Sequence, residues 1–105
     1  MKKIFITGAN GFIGRNITEA FKNKYKLLTP SHNQLELLDE KKVKSFFKRN
    51  KPDIVVHLAD VGGRQKTSAN NILSHNLRVF FNLVNNKEYF SRMIFVGSGS
   101  EFGKQ

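Results

Sequence analysis

The chain has 105 residues, an apolar fraction of 39% and a formal charge of +10 at pH 7, enough for one domain with a small core rich in phenylalanine. It contains no cysteine, which excludes disulfides and thiolate metal sites and fits a cytoplasmic protein. No apolar run approaches the ~20 residues needed to cross a bilayer, and Met1-Lys2-Lys3 leads straight into an apolar segment, so neither a membrane span nor a cleaved signal peptide is expected.

Ile4-Phe5-Ile6 reads as a first strand, and it feeds Thr7-Gly8-Ala9-Asn10-Gly11-Phe12-Ile13-Gly14, a turn punctuated by three glycines. A helix follows, on which Ile13, Ile17, Ala20 and Phe21 are expected to face the sheet. Residues 25–29 read as a second strand and residues 30–34 as a loop. Asp39 precedes a helix whose apolar stripe is Val43, Phe46 and Phe47, and Lys51-Pro52-Asp53 breaks it. Ile54-Val55-Val56-His57-Leu58-Ala59 is a buried third strand. Residues 61–69, with Gly62-Gly63, form a polar connection. Leu73, Leu77, Phe80, Phe81 and Val84 mark a longer helix, and Met93-Ile94-Phe95-Val96 is a fourth strand ending in Gly97-Ser98-Gly99-Ser100.

Strands separated by helices make a parallel sheet with right-handed crossovers. The expected fold is therefore α/β, a Rossmann-type parallel sheet of about four strands with helices on both faces. In one unit of residues 1–105, it is expected to be an incomplete half of a larger doubly wound domain. In that fold ligands sit at the carboxyl ends of the strands, so the loops at Gly8, Pro30, Asp60 and Ser98 are expected to converge on one edge. Gly8 can take backbone angles closed to other residues, Gly11 lacks the Cβ that would block a pyrophosphate, and Gly14 lets the helix lie close to the strand. Free N–H groups at the helix start would face the ligand's negative charge. The plain alternative is a glycine-rich turn that binds nothing.

The charge of +10 raises the question of nucleic acid. The basic residues, among them Lys22, Lys24, Lys26, Lys41, Lys42, Lys44, Lys48, Arg49 and Lys51, are spread over helix faces and element ends without interleaved aromatic side chains. They read as a solvated surface, and no nucleic-acid partner is expected. His32 and His75 have no metal-ligand partners at recognisable spacing, and His57, within an apolar strand, reads as a hydrogen-bonded core histidine.

The spacing Thr7-Gly8-x-x-Gly11-x-x-Gly14 resembles the nucleotide loop of the extended short-chain dehydrogenase/reductases, the NAD-dependent epimerase/dehydratase family. The resemblance continues along most of the chain. Leu35-Glu36-Leu37-Leu38-Asp39 is similar to the family's segment after the second strand, whose aspartate accepts a hydrogen bond from the adenine amino group. Asp39 either inherits that role or caps the next helix. Val56-His57-Leu58-Ala59 is similar to the family's H-L-A-A strand end, with Asp60 in place of the second alanine. Asn76 resembles the asparagine that opens the family's fourth helix. Gly97-Ser98-Gly99-Ser100-Glu101-Phe102-Gly103 is similar to the segment S-S-x-x-Y-G, with Phe102 in place of tyrosine.

Residue by residue, the resemblance implies cofactor contacts at Gly8, Asn10, Gly11, Phe12, Ile13 and Gly14, at Ser31 and His32, at Leu38 and Asp39, and at Leu58 and Ala59. It implies catalytic roles for Ser98, whose hydroxyl would meet the substrate's reacting oxygen, and for Ser100. Leu28-Thr29-Pro30, residues 35–39, Lys51-Pro52-Asp53 and Val61-Gly62-Gly63 resemble most the branch of GDP-fucose synthase-like epimerase-reductases. The implied activity is NAD(P)-dependent epimerisation or reduction of a 4-keto nucleotide sugar, with a homo-oligomer as a possible assembly. Thr29-Pro30-Ser31-His32 carries no carboxylate to repel a 2′-phosphate, so NADP is favoured over NAD. The family's Tyr-x-x-x-Lys pair is absent: Thr29 and Met93 stand four residues after Tyr25 and Tyr89. The chain alone is expected to be inactive, either a fragment of a longer enzyme or a non-catalytic nucleotide-binding module.

Overall fold

The structure, a computed structural model, describes residues 1–58 and 69–96. Strand β1 (Lys3–Thr7) is followed by helix α1 (Phe12–Phe21), β2 (Lys26–Leu28), α2 (Glu40–Asn50), β3 (Ile54–Leu58), α3 (Ala69–Val84), a 3-10 turn (Lys87–Tyr89) and β4 (Arg92–Val96). The four strands are parallel in the order β2-β1-β3-β4, with β1 in the interior. This is the expected Rossmann half. The second strand is shorter than the sequence suggests, three residues rather than five, because Tyr25 still closes the turn after α1 through its N–H to the Phe21 carbonyl (3.1 Å).

The two-residue period of the strands sorts their side chains into two cores. Phe5 and Val55 point to the side of α2 and α3, where Val43, Phe46, Phe47, Val79 and Leu83 bury them. Phe5 lies 4.6 Å from Phe46 and 5.5 Å from Phe47, ring centre to ring centre. Ile4, Ile6, Val56 and Leu58 point the other way and meet Ile17 of α1. Helix α2 begins at an Asp39 cap, whose Oδ1 accepts the Lys42 N–H (3.1 Å), and it ends at Lys51 in the left-handed region (φ 45°). At the amino ends of the strands, Asp53 accepts the Lys3 N–H (2.8 Å) and Lys3 Nζ donates to the Asn50 carbonyl (2.9 Å), tying the start of β1 to the end of α2.

Two helix faces depart from expectation. On α1 the face toward the sheet is set by Gly14, the helix's fully buried residue, with Ile17 beside it. Ile13 lies about 100° around the helix from Gly14 and is 51% exposed; Ala20 is exposed with it, and Phe21 is 38% exposed against Tyr25. The glycine must face the loop, and that fixes the rotation of the whole helix. On α3, Leu73, Leu77 and Phe81 are exposed, whereas Val79, Asn82 and Leu83 face inward. The helix carries two apolar stripes, and the shorter one reaches the core. Asn76 lies inside α3 rather than at its start.

Candidate functional site

The carboxyl end of β1 runs into a tight turn. Gly8 has φ +72°, and a Cβ placed on it would sit 2.8 Å from the Leu58 carbonyl oxygen of β3. The turn closes with the Gly11 N–H donating to the Gly8 carbonyl (3.1 Å). A Cβ on Gly14 would lie 2.2 Å from the Gly8 carbonyl oxygen and 2.6 Å from Ala9 Cα, so helix and loop are in backbone contact. Both glycines are required by space, and Gly8 also by its backbone angle.

Gly11 is the N-cap of α1, with no side-chain hydrogen bond to the helix's first N–H groups and no acidic residue in the first turn. Helix α2 contrasts with it, having both the Asp39 cap and Glu40. The start of α1 is thus an uncapped set of backbone donors at the positive end of a helix, the arrangement that receives phosphate.

This turn forms one wall of a cleft of about 260 Å³, lined by Thr7, Gly8, Ala9, Asn10 and Gly11. The other wall is the segment after β2, with Thr29, Pro30, Ser31 and His32, backed by Leu35 and Leu37. A turn holds the second wall in place. The Ser31 carbonyl accepts the Leu35 N–H (2.8 Å), Gln34 Oε1 accepts the Ser31 N–H (2.8 Å), and Leu35 is buried. Asn82 of α3 donates from Nδ2 to the Leu37 carbonyl (2.8 Å), which pins the far end of the loop. No Asp or Glu lines the cleft among the described residues. A shallower groove of about 490 Å³ runs along α3 between Leu73, Leu77, Arg78 and Phe81. It has no glycine turn and no uncapped helix start.

The residues singled out by sequence divide by position. Gly8, Asn10, Gly11, Ser31 and His32 meet in the cleft. Phe12 (78% exposed) and Ile13 are the first two residues of α1, and their side chains lie outside it, so what they offer a ligand is backbone N–H. Gly14 and Leu58 are buried beneath the turn. Leu38 and Asp39 stand at the end of the loop, outside the lining, and Asp39 makes the helix cap. Ala59, Asp60, Ser98 and Ser100 lie outside the described residues, so the convergence seen is that of the loops at Gly8 and Pro30.

Sequence reading missed Thr7. Its Oγ1 lies 2.6 Å from His57 Nδ1 and accepts the Leu58 N–H (3.1 Å), and Thr7 and His57 are both buried. Thr7 and His57 are register partners on adjacent strands, and His57 pairs in register with Phe95, whose ring centre is 5.4 Å away. His57 is the hydrogen-bonded core histidine that the sequence suggests. The signal for Thr7 was its even spacing from Phe5, which puts both side chains on one face of β1.

Among the described residues, no group of three His, Cys, Asp or Glu side chains could hold a metal. Partial burial, and then the Glu88 carboxylate with its hydrogen bond, push the Tyr89 phenol above the usual tyrosine range.

Residues 4–105 match the NAD dependent epimerase/dehydratase family, nearly the whole chain. The chain belongs to that family. It is 36% identical over 86 residues to GDP-L-colitose synthase of Yersinia pseudotuberculosis, a match that takes in 78% of this chain and 28% of that protein. Among solved structures, DdhaC superposes with a TM-score of 0.82 at 30% identity, over 92% of this chain and 30% of its own. MlghC, a GDP-mannoheptose C4 reductase from Campylobacter jejuni with NADP bound, does so with a TM-score of 0.80 at 25% identity, over 93% and 33%. The chain thus spans about a third or less of the length of these family members. What it shares with them is a part of their fold built on a four-stranded parallel sheet.

Proposed function

We propose that this chain is the dinucleotide-binding part of an NAD(P)-dependent nucleotide-sugar epimerase or reductase, with NADP as the favoured cofactor. The observation that carries the reading is the cleft between the Gly8–Gly11 turn and residues 29–32, with the uncapped start of α1 at its edge. The residues present fit a dinucleotide. A Cβ would fill the contact under Gly8 and Gly14, the helix start supplies unpaired N–H donors, and the opposite wall has no carboxylate.

In this reading the N–H groups at Phe12 and Ile13 hold the pyrophosphate, Gly11 leaves room for its approach, and Asn10 borders it. Ser31 donates a hydrogen bond to the 2′-phosphate, while His32, or Arg15 on α1, offers positive charge. Asp39 and Leu38 face the adenine, and Leu58 and Ala59 floor the site. The nicotinamide group, when bound, supplies the redox chemistry. Ser98 would hydrogen-bond the reacting oxygen of the sugar, with Ser100 beside it. The relatives' names, a GDP-colitose synthase and a GDP-mannoheptose reductase, support a GDP-sugar substrate.

Calorimetric titration of the chain with NADP and with NAD tests the cofactor reading, and tighter binding of NADP is expected. Tighter binding of NAD would reverse the preference, and heat from neither would remove the binding site. For the sugar chemistry, Ser98→Ala in a protein extended to a relative's full length should lower turnover of a 4-keto nucleotide sugar about 100-fold or more while sparing cofactor affinity. Unchanged turnover would remove Ser98 from the reaction.

A further inference from the structure

Residues 29–39 carry the second wall of the cleft, and they contain neither strand nor helix. Their hydrogen bonds are mostly local: the Gln34 and Leu35 N–H groups donate to the Ser31 carbonyl, the Asp39 N–H to the Glu36 carbonyl and the Leu38 N–H to the Glu36 carboxylate. Leu35 is buried in the core and Leu37 packs against it. Among the described residues, a single hydrogen bond ties residues 31–38 to another element, from Asn82 Nδ2 of α3 to the Leu37 carbonyl (2.8 Å). Val79, Asn82 and Leu83 form the inward stripe of α3, and the buried Asn86 continues it one turn beyond the helix. A leucine at position 82 would simply extend the apolar core, whereas a buried amide is costly to desolvate unless its donors are met. Asn86 turns back on its own helix, with Nδ2 on the Asn82 carbonyl (2.8 Å). Asn82 is the one that reaches across to the loop. The Leu37 carbonyl can only accept, so the amide nitrogen must face it. Leu37 lines the cleft and Asn82 does not.

We propose that Asn82 is a positioning residue for the dinucleotide, holding the loop after β2 in the conformation that receives the adenosine end. The proposal rests on the dinucleotide reading above, and Asn82 acts through Leu37 without touching the ligand. A loop anchored by two leucines alone keeps other conformations close in energy, because each ordered residue gives up backbone entropy. Apparent affinity then falls by the fraction of chains in which the loop stands ready. One hydrogen bond of this kind changes that fraction about three- to tenfold. The glycine turn on the opposite wall is fixed by its own backbone contacts with β3 and α1, so the loss belongs to the adenosine side.

The test compares the wild-type chain with Asn82→Leu, close in shape but without a donor, with Asn82→Ala, and with Asn50→Leu as the control. The control deletes an amide bond of the same chemistry, Asn50 Nδ2 to the Phe46 carbonyl (3.0 Å), at the opposite end of the strands. Dissociation constants for NADP, and for adenosine 2′,5′-bisphosphate, which carries the adenosine end alone, should rise about three- to tenfold in both Asn82 variants and stay within about twofold of wild type in Asn50→Leu. In the ligand-free chain, amide hydrogen exchange at Leu35 and Leu38 should quicken in the Asn82 variants and not in the control, a readout of loop position that needs no ligand. Unchanged affinity in both Asn82 variants, unchanged exchange at those two amides, or an equal loss of affinity in Asn50→Leu would overturn the proposal. Failure of the wild-type chain to bind either compound would remove the dinucleotide reading itself, and the positioning role with it, even where exchange shows Asn82 fixing the loop.

Discussion

Gly11 and Gly14 sit three residues apart and do different work. A Cβ on Gly14 would enter backbone atoms of the Gly8–Ala9 turn, which have no room to give. Gly14→Ala should therefore cost about 3 kcal/mol or more of stability, read as a lowered denaturation midpoint. Gly11 has φ −75°, angles open to any residue, so its value lies in what approaches from the cleft. Gly11→Val should keep the circular dichroism of the sheet and abolish dinucleotide binding; retained affinity would show that the pyrophosphate lies elsewhere. Thr7→Val takes the acceptor from the buried Leu58 N–H and should cost about 1–3 kcal/mol, with Thr7→Ser recovering most of it. That pair was hidden from sequence reading because a threonine at a strand end is unremarkable until the register of the next strand is known.

The strands and the breaks between elements were legible because their causes are local. Alternating apolar residues, three glycines, an aspartate before a helix and Lys51-Pro52-Asp53 each act within a few residues. Helix rotation was not legible, because a contact from outside the helix sets it. Gly14 turns α1 so that Ile13 faces water, and α3 buries Val79 and Leu83 beneath a more conspicuous outer stripe of Leu73, Leu77 and Phe81. Asp39 illustrates the same limit at a helix end, since a cap and an adenine contact call for the same residue. The two can be separated. Asp39→Ser keeps a capping oxygen on a shorter side chain, so stability should change by only a few tenths of a kcal/mol while Asp39→Ala costs about 1 kcal/mol. Adenine contact would show as a loss of cofactor affinity in both variants, and unchanged affinity would leave Asp39 as a cap alone.

At the scale of the molecule, β4 closes one edge of the sheet, and its residues Ile94 and Phe95 remain 44% and 41% exposed. Leu73, Leu77 and Phe81 of α3 and Phe12 of α1 are exposed as well. The 105-residue polypeptide should self-associate or melt at low temperature, which light scattering after size exclusion would reveal; a monomer with a sharp, high melting transition would contradict it. The family could be read from residues 4–14, and the fold from the repeat of strand and helix along the chain. The family's Tyr-x-x-x-Lys pair is absent from these 105 residues, and the roles read for Ser98 and Ser100 fall outside the described residues.

The central claim is that the cleft at the carboxyl ends of β1 and β2 is a dinucleotide site. Amide chemical-shift mapping of the 105-residue chain during titration with NADP tests it most directly. The account predicts shifts that begin at Gly8, Asn10, Gly11, Phe12 and Ile13 and extend to Ser31 and His32, with the α3 groove at Leu73, Leu77 and Phe81 unmoved. Shifts centred on that groove, or none at all from a folded chain, would contradict it.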